Sequence, residues 1–177
     1  TSLLDAVRDR PPVRTGVVNA VSNVVLESVR DASKAGVVEP VLYGDRAKIA
    51  DGLSALGWDA QGTEIVDAPD EGAAATMAAR DAGQGNLAAL MKGHVHTDTF
   101  MRAVLNRDAG LRTGRRLSHI FHMTVPGRQG SLIISDAALN THPDIETKKA
   151  IINNVVALSH ALGNARPRIA LLSATEE

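Results

Sequence analysis

The residues best suited to chemistry lie close together between Lys92 and Arg102. The run Lys92-Gly93-His94-Val95-His96-Thr97 supplies a cation, two imidazoles and a hydroxyl, and Arg102 follows shortly after. Lys and Arg bind phosphate through charge-assisted hydrogen bonds, and the first amides of a helix donate to the same anion. This combination predicts a site for a phosphate-bearing ligand.

The charge distribution singles out the same region. Lys92 to Arg128 contains seven basic and two acidic residues, a local charge of +5 in a chain whose formal net charge is −1. A cationic segment of this kind favours anionic ligands. The alternative for any single arginine is ordinary solvated surface. The clustered positive charge, and not any single arginine, is therefore the evidence for an anionic ligand.

A strand, a turn and a helix must position these side chains. Leu87 to Met91 is an apolar run typical of a buried strand, and Gly93 allows a tight turn after it. Thr97 is a plausible N-cap of the next helix. The apolar face of that helix is predicted from Phe100, Met101, Val104 and Leu105.

Strands and helices alternate throughout the first half of the chain. Strands are predicted at Thr15–Ser22, Val37–Gly44, Thr63–Ala68 and Leu87–Met91, and helices at Thr1–Arg10, Asn23–Ala35, after Asp45 and at Asp70–Ala82. Short gaps between alternating elements are typical of βαβ units. We therefore expect an α/β fold with a mostly parallel sheet.

The second half of the chain has a different rhythm. Leu117–Val125 and Ser131–Asp136 are separated by too few residues for a crossover helix, which predicts an antiparallel hairpin. Asp144–Leu162 is the longest predicted helix, and Ile169–Ser173 is predicted as a final strand. The inward side of the long helix is predicted from Ile145, Ile152, Val155, Val156 and Leu162.

Polar residues after the predicted strands are further candidates, because ligands of open α/β folds bind at the carboxyl edge of the sheet. Asp136 and Asn140 would position a polar ligand there, whereas the alternative for Asp136 is a cap on its turn. Ser118 and His119 would add a hydroxyl and a donor. The alternative for Ser118 is to satisfy backbone groups at the start of a strand.

Composition argues against several other classes of protein. Aromatic residues are only 2% of the chain, which leaves little for stacking on nucleic-acid bases. Cysteine is absent, so the sequence carries no disulfide framework or thiolate metal site. No apolar run is long enough to span a membrane, and we expect a soluble, cytoplasmic protein.

Familiar catalytic and metal-binding motifs are also missing. The sequence has no Gly-x-Gly-x-x-Gly after the first strand, no phosphate-loop lysine motif and no Gly-x-Ser-x-Gly elbow. His94 and His96 have the spacing of two metal ligands, but no third ligand follows at a convincing spacing. Phosphate contacts or ordinary turn polarity are the favoured alternatives.

Four segments together resemble one known family. They are Leu90-Met-Lys-Gly-His-Val-His-Thr97, Gly110-Leu-Arg-Thr-Gly-Arg-Arg-Leu-Ser-His119, Ile134-Ser-Asp-Ala-Ala-Leu-Asn140 and Ala170-Leu-Leu-Ser-Ala-Thr-Glu176. In this order, over residues 15–177, they are similar to the N-terminal half of the phosphate acetyl/butyryltransferase family. The form associated with enoyl-CoA hydratase-like proteins is the one they resemble most.

The resemblance implies an enzyme that moves an acyl group between coenzyme A and inorganic phosphate. It implies a three-layer, isocitrate dehydrogenase-like first domain over residues 1–177, a site in an interdomain cleft, a homodimer and no metal or redox cofactor, with coenzyme A as a substrate. The residues that match its phosphate- and coenzyme A-binding positions are Lys92, Gly93, His94, Thr97, Arg102, Ser118, Asp136 and Asn140.

The catalytic residues are not carried over by the resemblance. The Ser-Arg and Asp signature of the family lies in its second half, and this sequence contains no Ser-Arg pair. One alternative function is therefore a non-catalytic domain that binds phosphate, coenzyme A or another protein. A third is a related acyltransferase of fatty-acid or phospholipid synthesis, which would prefer longer acyl donors.

Overall fold

A computed structural model describes residues 3–58, 62–127, 130–136 and 138–172. The chain separates into two compact units, the first unit (Thr1–Thr113) and the second unit (Gly114–Glu177). The strands are β1 (Val13–Val18), β2 (Val38–Gly44), β3 (Glu64–Asp67), β4 (Ala89–Lys92), β5 (Phe121–Thr124) and β6 (Ser131–Ile134). The helices are α1 (Leu3–Val7), α2 (Asn23–Lys34), α3 (Arg46–Ala55), α4 (Glu71–Gly83), α5 (Thr97–Val104) and α6 (Ile145–Ala161), with a 3₁₀ helix at Arg107–Ala109.

The first unit contains a four-stranded parallel sheet in the order β3-β2-β1-β4. Val17 of β1 lies opposite Leu42 of β2 on one side and Met91 of β4 on the other. The parallel sheet predicted from the alternating elements is confirmed. The chain runs from β1 through β2 to β3 at one edge of the sheet and then crosses to β4 at the other edge. The connections therefore change direction between β1 and β4, and ligands of open α/β sheets bind at such a point.

Apolar side chains on both faces of this sheet build a three-layer core. Val17 and Leu42 pack with buried residues of α2 and α3 on one face. Val18 and Tyr43 belong to the opposite cluster, together with the buried alanines of α4. Adjacent residues in a strand point to opposite faces, which explains how one strand feeds two clusters. Alanines let α4 approach the sheet closely, so few aromatic side chains are needed.

Two helix starts in the first unit are capped as expected. The Asp45 carboxylate accepts a hydrogen bond from the Lys48 backbone N–H, and the Asp70 carboxylate accepts one from Ala73. A carboxylate at this position satisfies an amide that has no partner within its helix. These caps fix where α3 and α4 begin, just beyond the carboxyl ends of β2 and β3.

The second unit contains the predicted hairpin and the predicted long helix. Strands β5 and β6 pair antiparallel, with Phe121 opposite Ile134 and Thr124 opposite Ser131. Both strands are shorter than the β-prone runs in the sequence. The prediction that residues 1–177 form one domain stays a prediction.

The predicted inward side of α6 is wrong at both ends. Ile145 is 71% exposed and Leu162 is 41% exposed, whereas Thr147, Ile151 and Ser159 are the buried positions of the helix. At about 100° per residue, Ile145 lies roughly 200° around the helix from Thr147. The apolar pattern was broad enough to fit several faces, and packing selected one that includes two hydroxyl side chains.

The end of β1 and the predicted final strand also differ from the structure, and β4 covers Ala89–Lys92 instead of Leu87–Met91. β1 ends at Val18 instead of Ser22 because Asn19 adopts a left-handed conformation, with φ of 55°, that cannot continue a strand. Residues 169–172 form no strand, and Leu172 is 91% exposed. An extended apolar segment becomes a strand only when another strand pairs with it, and none does so in the described part of the chain. Ser173 lies outside the described residues.

Candidate anion-binding site

The loop from Lys92 to Thr97, here called the cationic loop, is held against the end of β1. The Gly93 backbone N–H donates to the Val18 carbonyl over 3.0 Å, and the His94 N–H donates to the Asn19 carbonyl over 3.0 Å. The Asn19 side-chain amide donates back to the His94 carbonyl over 2.5 Å. These three hydrogen bonds join Val18 and Asn19 to the cationic loop, which follows β4, the neighbour of β1 in the sheet.

Gly93 is required by this close approach. A Cβ atom at Gly93 would lie 2.4 Å from the Val18 carbonyl oxygen and 2.9 Å from that of Asn19. Both oxygens are backbone atoms that already accept hydrogen bonds from the cationic loop, so neither can rotate away. The turn predicted at Gly93 is present, and its cause is contact with β1.

The far end of the cationic loop is fixed by the core and by α4. Val95 is buried in the apolar cluster that contains the alanines of α4. The His96 backbone N–H donates to the Glu71 carboxylate over 3.2 Å, and His96 Nδ1 lies 2.7 Å from the same carboxylate. The backbone of the loop is therefore anchored on both sides.

The N-cap of α5 is His96, so the prediction of Thr97 is wrong by one residue. Thr97 is the first residue of the helix, and His96 has the extended backbone of a cap. The His96 side chain makes no capping hydrogen bond because it turns to Glu71 instead. Sequence rules favour Thr over His as a cap, but they do not include a carboxylate from a distant helix.

The polar side chains of the cationic loop remain exposed while its backbone is fixed. Lys92, His94 and Thr97 are all exposed, and Gly93 is half-buried. A backbone held in place before the ligand arrives reduces the entropy lost on binding. This arrangement suits the recognition of a small anion by one cation and several donors.

Arg102 lies in the last turn of α5 and is already paired. Its guanidinium donates to the Asp98 carboxylate over 3.1 Å, with both side chains more than 70% exposed. An exposed pair one helical turn apart contributes only about 0.3–0.5 kcal/mol, so a ligand can compete for Arg102. No hydrogen bond or ion pair joins the Arg102 side chain to the cationic loop within the described residues. Its predicted role in binding stays a prediction.

The +5 segment is divided between the two units. Arg107 and Arg112 belong to the first unit, whereas Arg115 and Arg116 belong to the second. Arg128 lies outside the described residues. The cationic loop is therefore the part of this segment that we assign to the carboxyl edge of the sheet.

A cavity of about 270 Å³ adjoins the cationic loop at the carboxyl edge of the sheet. Asn19 and His94 line it together with Asp45, Asp70 and Glu71, which follow β2 and β3. Sequence reasoning missed these three acidic residues as part of this edge. Their positions directly after two strands were the available signal, because parallel strands bring their carboxyl ends together.

A larger cavity of about 320 Å³ lies at the opposite edge of the sheet. Its charged lining residue Arg14 donates to Glu39 over 2.8 Å and to Glu64 over 2.5 Å. The two carboxylates already satisfy this guanidinium. The described residues that line this cavity therefore include no unpaired lysine or arginine for an anionic ligand.

In the second unit, Asp136 organises the loop after β6. One carboxylate oxygen accepts hydrogen bonds from the backbone N–H groups of His119, Ala138 and Leu139, over 3.1 to 3.2 Å. The other accepts from the backbone and side chain of Asn140. Burial opposes ionisation of Asp136, but these donors outweigh it and lower its pKa. These contacts are those of the alternative role given above, in which Asp136 caps its own turn. A role of Asp136 in ligand binding stays a prediction.

Ser118 and Asn140 also have partners within the second unit. The Asn154 side-chain amide donates to the Ser118 hydroxyl over 2.9 Å, and that of Asn140 donates to the Leu117 carbonyl over 3.0 Å. The Ser118 oxygen accepts this bond, which leaves its hydroxyl hydrogen able to donate. The three predicted residues of the second unit thus share one hydrogen-bonded region around residues 117–119 and 135–140.

The described residues contain no group of three or more His, Cys, Asp or Glu arranged to hold a metal ion. Separately, none of the helices in the described ranges is long and apolar enough to cross a membrane.

The arrangement of strands and helices matches that of solved phosphotransacylases. A branched-chain phosphotransacylase from Enterococcus faecalis superimposes with a TM-score of 0.76 at 24% identity, covering 93% of this chain and 57% of that one. At this identity the match establishes the fold class, an α/β protein with a mostly parallel sheet and an added hairpin.

Sequence comparison establishes the family. The family model for phosphate acetyl/butaryl transferase matches residues 71–177. A phosphate acetyltransferase of Rhizobium meliloti is 40% identical over 98% of this chain, and a phosphate butyryltransferase of Clostridium acetobutylicum is 36% identical over 96%. The chain belongs to the phosphate acetyl/butyryl transferase family, which confirms the resemblance. It spans 55% and 56% of the length of these two relatives.

Proposed function

We propose that this chain is part of an acyltransferase that moves an acetyl- or butyryl-type group between coenzyme A and inorganic phosphate. Its membership of the family supports this function, and one structural observation carries it. The cationic loop has a backbone anchored by β1 and Glu71, while Lys92, His94 and Thr97 remain exposed. Such a loop suits the phosphate group of either substrate.

In the proposed reaction, the thiolate of coenzyme A attacks the carbonyl carbon of an acyl phosphate. The bond between that carbon and the phosphate oxygen breaks, and inorganic phosphate leaves with the electron pair. Lys92 and the donors of the loop stabilise the negative charge on the phosphate, and fixed geometry lowers the entropy cost of the encounter. Arg102 of the first unit is proposed as a further contact to these substrates, and Ser118, Asp136 and Asn140 of the second unit are proposed separately as substrate-binding residues. No metal or redox cofactor is required.

Calorimetric titration with phosphate, acetyl phosphate and coenzyme A tests the binding half of this proposal. We expect weak binding of each by the 177-residue chain. A coupled thiol-release assay tests the transfer half, and we expect poor turnover because the family's Ser-Arg signature is not in this sequence. A chain that binds none of the three ligands would contradict the proposed function.

The second candidate is a domain that binds phosphate or coenzyme A, or another protein, without catalysis. The observation in its favour is that Lys92, His94 and Thr97 are exposed on an anchored loop, an arrangement that is sufficient for binding by itself. The two candidates differ in one measurement: thiol release at any rate above the uncatalysed background requires transfer. Binding of coenzyme A without thiol release would favour the second candidate.

A homodimer forms part of the proposal. Large apolar side chains of the second unit are unusually exposed, including Phe121 at 49% and its cross-strand neighbour Ile134 at 42%. Paired apolar residues on one face of a hairpin favour association with a second copy. Sedimentation velocity should show a dimer that Ile134→Lys dissociates, and a monomeric wild-type chain would contradict it.

We also propose a cytoplasmic location. The cysteine-free composition supports it, since small exported proteins commonly depend on disulfides. Fractionation of cells that express the protein tests the proposal, and recovery from an exported or membrane fraction would contradict it.

A further inference from the structure

A histidine and a glutamate beside the cationic loop form a pair that the sequence did not predict. His96 Nδ1 lies 2.7 Å from the Glu71 carboxylate, and the same carboxylate accepts the His96 backbone N–H. The His96 side chain is 80% exposed, whereas that of Glu71 is 32% exposed. The carboxylate is therefore the sheltered partner, and the imidazole is presented to solvent.

The state of Glu71 determines which nitrogen of His96 carries a proton. The hydrogen bond with the His96 side chain lowers the pKa of Glu71, burial opposes the shift, and the His96 backbone N–H adds to it. An ionised carboxylate only accepts hydrogen bonds, so Nδ1 must be the donor. In the neutral imidazole the proton is then on Nδ1, and the outward Nε2 has a lone pair.

This tautomer has a consequence for ligand binding. A neutral Nε2 with a lone pair cannot donate to an anionic oxygen. After protonation, Nε2 carries a hydrogen and donates, while Nδ1 remains bonded to Glu71. An anion that contacts Nε2 must therefore bind together with a proton.

We infer that His96, positioned by Glu71, is a proton-linked contact for an anionic oxygen at the cationic loop. The inference rests on the proposed function and extends it, because it predicts that phosphate-type ligands bind more tightly as pH falls through the histidine range. Glu71 is a positioning residue in this scheme: it fixes the tautomer and orients the ring without touching the ligand.

The other charges around His96 do not replace this contact. Asp98, in the first turn of α5, opposes the lowering of the Glu71 pKa. The charged and titratable groups on the elements that surround His96 are Asp70 and Glu71 at the start of α4, Arg80 and Asp81 near the end of α4, Lys92 and His94 in its own loop, and the Asp98–Arg102 pair of α5. Histidine is the residue type among these whose ordinary range of titration falls between pH 5.5 and pH 8, so we assign the pH dependence to the imidazoles.

Sulfate is the probe for the test, because it stays doubly charged where phosphate itself titrates. We expect the wild-type chain to bind sulfate about fivefold more tightly near pH 5.5 than near pH 8, the size of one exposed charge-assisted contact. His96→Gln should remove most of this difference. The matched control His160→Gln deletes an exposed imidazole on α6 and should retain it.

Glu71→Gln separates positioning from general structural support. Without the carboxylate that accepts from Nδ1, neither tautomer is fixed, so part of the neutral imidazole already donates from Nε2 and the pH dependence of sulfate binding should weaken. Glu27→Gln, on the exposed side of α2, makes the same change in net charge and should leave it unchanged. Nitrogen NMR of the ring should show the Nδ1–H tautomer at high pH in the wild type and a mixture in Glu71→Gln.

Three results distinguish this inference from the proposed function. Sulfate binding that does not change with pH, or His96→Gln with full pH dependence, would overturn the inference. Coenzyme A binding by His96→Gln near pH 8 tests the proposed function without the His96 contact. Loss of coenzyme A and phosphate binding at that pH, with sulfate still bound near pH 5.5 in a His96-dependent way, would overturn only the function.

Discussion

Gly93→Ala is the substitution that tests most sharply how the cationic loop is held. Its Cβ would lie 2.4 Å from the Val18 carbonyl oxygen, so β1 and the loop must separate. The separation breaks the bonds from Gly93 to Val18 and from His94 to Asn19. At about 1 kcal/mol for each bond, with further strain from overpacking, we expect unfolding to become easier by about 2–4 kcal/mol.

The single tryptophan provides the assay. Trp58 packs against the apolar cluster of α2, α3 and the sheet, so its fluorescence during urea unfolding reports on the first unit. Phosphate titration of the folded variant should show lost binding as well, because the loop no longer has its fixed backbone.

Gly52→Ala is a matched control with nearly the same initial clash. Its Cβ would lie 2.5 Å from Leu26 Cδ1, the end of a side chain that can rotate. We expect a cost below about 2 kcal/mol, partly offset by the better helix propensity of alanine, with phosphate binding unchanged. Gly93→Ala within about 0.5 kcal/mol of the wild type, with normal binding, would refute the close-approach argument.

Other substitutions test the remaining contacts. Tyr43, the single tyrosine of the sequence, is buried and donates to the Asp81 carboxylate over 2.6 Å. Burial, and after it this hydrogen bond, raise the pKa of Tyr43. Tyr43 should therefore stay un-ionised at pH 10 until the chain unfolds. This stabilisation is present below the ordinary tyrosine pKa and is lost above it, and Tyr43→Phe should cost about 1–2 kcal/mol in urea unfolding. A normal tyrosine titration in the folded chain would contradict it. Because the pKa of Asp136 is lowered, its stabilisation exists above the unfolded value of 3.8 and is lost as pH falls below it. Asp136→Asn should therefore flatten the acid-induced loss of stability measured by circular dichroism, and an unchanged acid profile would count against the role of Asp136. Arg102→Gln should leave stability within about 0.5 kcal/mol, since its ion pair is exposed, but should weaken coenzyme A binding in calorimetry; equal affinity would remove Arg102 from the proposed site.

Most of the first unit could be predicted from local sequence patterns. Asp45 and Asp70 are caps with short-range signals, and β1, β2 and β4 overlap the strands predicted at Thr15–Ser22, Val37–Gly44 and Leu87–Met91. The Gly93 turn was predicted from glycine alone, although its cause is the β1 backbone. Local chemistry is informative where an element's ends are determined by its own residues.

The errors occur where distant residues decide. Thr97 has the better cap chemistry, but Glu71 captures His96 from another helix and moves the boundary. Residues 169–172 have the composition of a strand, yet pairing with a neighbour decides whether one forms. The His96–Glu71 pair could not be predicted from the sequence for the same reason. Nothing in the spacing of residues 71 and 96 indicates that they are in contact.

The candidate site was predictable only in part. The loop from Lys92 to Thr97 was identified from residue types, and family membership supports that choice. The partners of Asp136 and Ser118 are set by how the hairpin and α6 fold, which periodicity does not show. Binding roles for these residues remain predictions until ligands are measured.

The central claim is that Lys92 and its loop bind the phosphate groups of the substrates. Calorimetric titration of coenzyme A into the wild type, Lys92→Ala and Lys34→Ala tests it directly, because Lys34 ends α2 just before β2, at the opposite edge of the sheet. We predict that Lys92→Ala weakens binding about tenfold, whereas Lys34→Ala binds like the wild type. Equal affinities for all three proteins would contradict the account.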